Sequence, residues 1–107
     1  MITKQKNRYV LVEATEPVGE ADRAIADGMM AGILREMGAV AYLDANPKIV
    51  SRQGDRFFVI RVNRGYEGIL ALALSFVKEA GGTKIAFYTL KTSGTIRKIL
   101  SYKGRLF

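Results

Sequence analysis

The chain contains no cysteine and no histidine. The first absence excludes disulfides and thiolate metal sites, and is compatible with a cytoplasmic protein. The second removes the usual general base and the commonest metal ligand together. No run approaches the roughly 18 consecutive apolar residues that a membrane-spanning helix needs, so no membrane partner is expected. The opening segment MITKQKNRYVLVEA sets basic residues before a short apolar run, in the manner of a leader. That run holds Glu13 and offers no small-residue cleavage site, so it reads as a strand. The 10 carboxylates are scattered, with no acid/base pair recognisable by spacing, and no glycine-rich nucleotide loop is present. Acidic residues become scarce in the second half: residues 51–107 hold 3 against 11 basic ones, whereas residues 1–50 hold 7 against 6. The whole net charge of +7 therefore comes from the C-terminal half, as expected of a domain with one side turned toward a polyanion.

What is present supports one globular domain over residues 1–107, since 49% of the residues are hydrophobic. Arg8 to Ala14 alternates, with Val10, Val12 and Ala14 on one side and Tyr9, Leu11 and Glu13 on the other, the pattern of a strand. From Glu20 to Met37, Ile25, Met29, Ile33 and Met37 recur every four residues and predict a helix, ended by Gly38. Ala24, Gly28 and Gly32 form a small-residue stripe beside that face. It implies either very close packing within the chain or contact with another chain. Ala39–Asp44 and Ile49–Val50 read as a strand interrupted around Asn46-Pro47, and Arg52–Asp55 as a turn. Arg56–Arg64 is the clearest strand, with Phe58, Ile60 and Val62 inward and Phe57, Val59, Arg61 and Asn63 on the opposite side. Tyr66–Ala80 reads as a second helix, closed by Gly81-Gly82 and apolar so far round that deep burial or a covering partner is expected. Lys84–Leu90 reads as the last strand, followed by a short helix after Ser93.

This order is strand, helix, strand, strand, helix, strand, with a small helix appended. It predicts an α+β, ferredoxin-like or RNA-recognition-like sandwich: a four-stranded antiparallel sheet with both main helices on one face. The other face would then show Tyr9, Leu11, Phe57, Val59, Arg61 and Asn63.

Three functions compete for such a fold. A standard RNA-recognition module needs alternating aromatics on its third strand, and GDRFFVIRVNR has adjacent ones instead. A small enzyme of the acylphosphatase type would use an Arg and an Asn, which Arg61 and Asn63 could supply. Its anion loop is missing, because EATEPVGEADR is acidic. A regulatory domain that binds a small molecule or oligomerises would explain the apolar helix but not the uneven charge. The stretch TLKTSGTIRKIL favours a phosphate-facing end. Thr92 or Ser93 can cap the last helix, yet the position that would complete a capping box with an acid carries Ile96, followed by Arg97 and Lys98. Free N–H groups at a helix start, a glycine that allows close approach, and nearby cations all suit phosphate.

RYVLVEA, GAVAYLDANPKIV, FFVIRVNRGY and SGTIRKI occur in the order and spacing of the eukaryotic and archaeal ribonuclease P protein component 2 family, which the chain resembles from about Arg8 to Ile99. Its shortness and lack of long charged tails resemble an archaeal member. The resemblance implies a noncatalytic subunit of a ribonucleoprotein endoribonuclease. The RNA of that enzyme, with its own bound Mg²⁺, removes the 5′ leader from precursor tRNA, so no cofactor is implied for this chain. It implies RNA contact at Ser93, Gly94, Thr95, Arg97 and Lys98, and at Arg61 and Arg64; Arg8 and Lys91 are added on position and charge. It also implies pairing with a barrel-shaped subunit, component 3, with two such pairs forming a tetramer, in the company of other ribonuclease P proteins. Leu70 and Leu74, with Ala24, Gly28 and Gly32, are the expected protein-contact positions.

Overall fold

The computed structural model describes residues 7–19 and 23–103, with side chains as far as Ser101 in the last helix. The predicted start of the first helix at Glu20 lies outside the described residues. Strand β1 (Asn7–Ala14) leads to helix α1 (Arg23–Met37), a short helix α2 (Ala39–Ala45), and strands β2 (Lys48–Gln53) and β3 (Phe57–Asn63). Helix α3 (Glu67–Ser75), a two-stranded hairpin β4 (Glu79–Ala80) and β5 (Thr83–Lys84), strand β6 (Phe87–Ser93) and helix α4 (Ile96–Lys103) follow. The four long strands form an antiparallel sheet in the order β2-β3-β1-β6, which places β1 and β3 at the centre as the split crossover topology requires.

Helices α1 and α3 cover one face of this sheet. Val10, Val12 and Ala14 from β1 meet Phe58, Ile60 and Val62 from β3, with Ile25, Met29 and Ile33 of α1 and Leu70, Ala73 and Leu74 of α3 above them. Alternation along β1 and β3 thus does what a half-covered antiparallel strand does, sending every second side chain into the core. Leu70 and Leu74 are fully buried in this core, which removes both from the protein-contact surface expected of them. The exposed apolar side chains here are Ile69 and Leu72 of α3 and Phe76 at its C-cap, one helical face further round.

The segment Ala39–Ala45 is helical, not extended. Gly38, at φ 85°, breaks the chain only long enough to restart it, and Asn46 ends α2 in the left-handed region (φ 48°) with its N–H donating to the Tyr42 carbonyl. Asn tolerates that conformation, and Pro47 prevents continuation. The predicted helix over Tyr66–Ala80 stops at Ser75, and the turn predicted over Arg52–Asp55 begins only after Gln53. Gly81-Gly82 is the two-residue loop of the β4–β5 hairpin, not a helix end, with both residues at positive φ as such loops demand. The final strand accordingly begins at Phe87 and runs to Ser93.

The small-residue stripe of α1 is filled from inside the chain. A Cβ on Gly28 would stand 2.5 Å from the Gly81 nitrogen, and one on Gly32 would stand 2.8 Å from a Val77 methyl. A Cβ on Gly81 would in turn meet the Ala24 carbonyl at 2.8 Å. Helix and hairpin are pressed together through reciprocal glycines. That contact accounts for the roughly 1 kcal/mol each helix glycine costs in propensity.

Candidate nucleic-acid interface

The second face of the sheet is partly roofed. Leu11, Phe57 and Val59, expected on an open surface, are buried under α4, whose Ile99 completes a small separate cluster with Tyr9, Leu90 and Ile96 around it. What stays open is the end of the sheet where β1 and β2 begin and β3 and β6 finish. Tyr9 pairs with Arg61 on one side and Ser93 on the other, while Arg61 pairs with Lys48. Directly opposed residues of antiparallel strands share a face. Lys48, Arg61, Tyr9 and Ser93 therefore form one transverse row on the α4 side.

The chain leaves this row at Ser93 and turns into α4. Ser93 is nearly buried, and its Oγ accepts a hydrogen bond from the Thr95 backbone N–H at 3.3 Å. Thr95, not Thr92 or Ser93, caps α4: its Oγ1 accepts from the Lys98 N–H at 3.3 Å, the usual reach of an N-cap to the third helical residue. Arg97 and Lys98 are exposed on the first turn of the helix. Gly94 has no need of its small size for backbone reasons. The one group a Cβ there would meet is the Arg8 guanidinium, with Nη1 3.2 Å away. Arg8 itself donates to the Asn7 carbonyl at 3.4 Å.

The structure therefore brings Arg8, Arg61, Ser93, Gly94, Thr95, Arg97 and Lys98 to one end of the molecule. Arg64 is exposed in the turn after β3 at the same end of the sheet, and Lys91 is exposed on β6 opposite Leu11, further along the strand. Tyr9 and Lys48 belong to the same end and were not legible as site residues. Finding them takes the strand register, and Lys48 was hidden by the misplacement of β2. Other cations are committed elsewhere. Arg52 donates to the Val18 carbonyl at 2.9 Å and stacks 5.0 Å from the Phe58 ring centre, and Arg56 donates to the Thr15 carbonyl at 3.1 Å. Asn63 donates its amide to the Asp44 carbonyl at 2.7 Å, pinning α2 to the end of β3. Among the described residues no group of three His, Cys, Asp or Glu is arranged to hold a metal, and no helix is long and apolar enough to cross a membrane.

Fold and site together define a split-crossover α+β sandwich with cations and hydroxyls gathered at one end of its sheet. The family to which it belongs follows from comparison. The profile of the Rpp14/Pop5 family matches residues 8–102, and the chain is a member of that family. Ribonuclease P protein component 2 of Methanocorpusculum labreanum is 29% identical over 93 residues, covering 87% of this chain and 63% of the relative. Its counterpart from Saccharolobus islandicus is 31% identical over 93 residues, covering 84% and 61%. That of Methanosphaerula palustris is 48% identical over a shorter stretch of 46 residues, 43% of this chain and 29% of the relative. The chain thus spans less than two thirds of the length of these relatives. Among solved structures, a chain in the cryo-EM structure of yeast ribonuclease MRP shares the fold, with a TM-score of 0.62 at 13% identity, over 98% of this chain and 96% of that one.

Proposed function

We propose that this protein is a noncatalytic subunit of ribonuclease P that grips the RNA subunit with the basic end of its sheet. It would thereby support the Mg²⁺-dependent, RNA-catalysed removal of the 5′ leader from precursor tRNA. The observation that carries the reading is the convergence of Arg8, Arg61, Arg97 and Lys98 around Ser93-Gly94-Thr95 in a member of the Rpp14/Pop5 family. Capping and phosphate binding are compatible here. The Thr95 hydroxyl takes the Lys98 N–H, and the N–H groups of Ile96 and Arg97, in the first turn of α4, have no acceptor within the helix. Such groups, with the helix dipole behind them, attract an anion.

The helical layer offers the surface for protein subunits. Ile69 and Leu72 on α3, Phe76 at its C-cap, and Val40 and Leu43 on α2 are exposed, and Met37, Ile69, Leu72 and Phe76 line a shallow groove between α1 and α3. Large apolar side chains on this scale are costly to leave in water and mark association sites. We assign this layer to the barrel-shaped component 3 and to self-association within a heterotetramer.

Reconstitution tests the reading. A cognate archaeal ribonuclease P RNA and the barrel-shaped subunit are combined with and without this protein, and precursor-tRNA cleavage is followed at a Mg²⁺ concentration where the RNA alone is slow. Acceleration that requires both proteins is expected. A folded protein that binds its partner yet gives no acceleration would overturn the role.

A further inference from the structure

Tyr9 stands in the same row, between Arg61 and Ser93, and while its hydroxyl could donate to a phosphate, the face of its ring suits a base. It packs against the Leu11–Ile99 cluster and also lines an open groove of about 610 Å³ whose other walls are Gly94, Thr95, Ile96, Arg97 and Lys98. That volume lies in the range of small-molecule sites and is ample for one nucleotide. A ring braced by apolar neighbours is held in place before any ligand arrives, so little side-chain entropy is lost on stacking. In duplex RNA the bases are stacked out of reach and only backbone and groove edges meet a protein, whereas unpaired bases can be splayed onto aromatic side chains.

Resting on the RNA-binding reading above, we infer that this groove takes one unpaired nucleotide of the RNA, its base stacked on Tyr9 and its flanking phosphates met by Arg61 and Lys48 on one side and Arg97 and Lys98 on the other. The site recognises an extruded base in a bulge or loop, without the alternating aromatics that would let the sheet read several bases in succession. Cations set the strength of binding, and the ring sets the preference for unpaired RNA.

The test uses the full chain and two hairpin RNAs of identical length. One carries a single bulged 2-aminopurine in its stem and the other has the same stem fully paired. The wild-type protein is expected to prefer the bulged hairpin and to change the 2-aminopurine fluorescence on binding. Tyr9→Phe keeps the preference. Tyr9→Leu loses roughly five- to a hundred-fold in affinity for the bulged hairpin, the range that stacking supplies per base, and changes neither affinity for the paired hairpin nor the slope of binding against salt. Equal losses on both hairpins, or wild-type binding with no fluorescence change at the bulge, would overturn the stacking assignment and leave RNA binding standing. The fluorescence change needs no variant, so it decides the question even if Tyr9→Leu folds poorly. Salt-insensitive or absent binding to both RNAs would instead overturn the RNA reading itself.

Discussion

Thr95 occupies a position where helix capping and anion binding coincide, and substitution can separate the two. Thr95→Ala removes the bond to the Lys98 N–H and is expected to cost about 1 kcal/mol, visible as a lower midpoint in thermal unfolding. Thr95→Asp restores a good cap and complements the helix dipole, so stability should return, but it sets a carboxylate against the RNA, whose binding should weaken. Recovery of both properties with Asp would mean that no phosphate approaches this turn. The reciprocal glycines make a second prediction at the same scale. Gly28→Ala gains about 1 kcal/mol of helix propensity but drives a methyl into the Gly81 backbone, where overpacking costs roughly 1–3 kcal/mol. Gly32→Ala meets the two Val77 methyls, at 2.8 and 3.1 Å, and side-chain atoms give way more readily than the backbone that faces Gly28. Gly28→Ala should therefore unfold at lower temperature than Gly32→Ala, a ranking that calorimetry checks directly.

Helix α4 is held to the sheet chiefly through Ile99, fully buried against Leu11, Phe57 and Val59. Ile99→Ala is expected to cost about 2–5 kcal/mol, and faster hydrogen exchange should appear first in α4 before the remainder of the fold. Uniform loss of protection would show that α4 and the main core unfold as one unit. The legibility of the sequence also divides at this scale. Strands β1 and β3 could be read because their alternation matches a sheet with one buried face. Helix α1 could be read because its apolar period is unbroken. Ala39–Ala45 was misread because Val40, Tyr42 and Leu43 look strand-like in so short a window. The better signals were its alanines and the Asn46-Pro47 stop. Gly81-Gly82 resembled a helix end because a tight hairpin and a helix terminus recruit the same residue for the same positive φ. The roof over Leu11, Phe57 and Val59 was beyond local patterning, since nothing in those strands says that a later amphipathic helix folds back over them. At the candidate site, the Ser-Gly-Thr turn and its cations were visible in the sequence, while Tyr9 and Lys48 emerged only from register.

At the scale of the whole molecule, the cations gathered beside α4 and the exposed Ile69, Leu72 and Phe76 of the helical layer lie on opposite sides of the sheet. Binding to ribonuclease P RNA should weaken linearly in log–log plots against salt, with a slope near 0.9 per phosphate on duplex and nearer 0.7 on single strands. Arg97→Glu with Lys98→Glu should flatten that slope while leaving thermal unfolding nearly unchanged, because acids at a helix start complement its dipole. Leu72→Glu with Phe76→Glu should do the reverse, sparing the salt slope but abolishing co-purification with the barrel-shaped subunit. Crossed effects in either pair would mean that the two faces are not separate. The sheet between those faces has one further consequence. A polyanion on one side and a protein on the other do not compete for space, so a domain about four strands wide can act as a bivalent bridge. Once either partner is docked, a second contact between the same two partners becomes intramolecular. Its effective concentration is then set by the fixed thickness of the sandwich instead of by diffusion, and modest individual affinities multiply into a long-lived assembly.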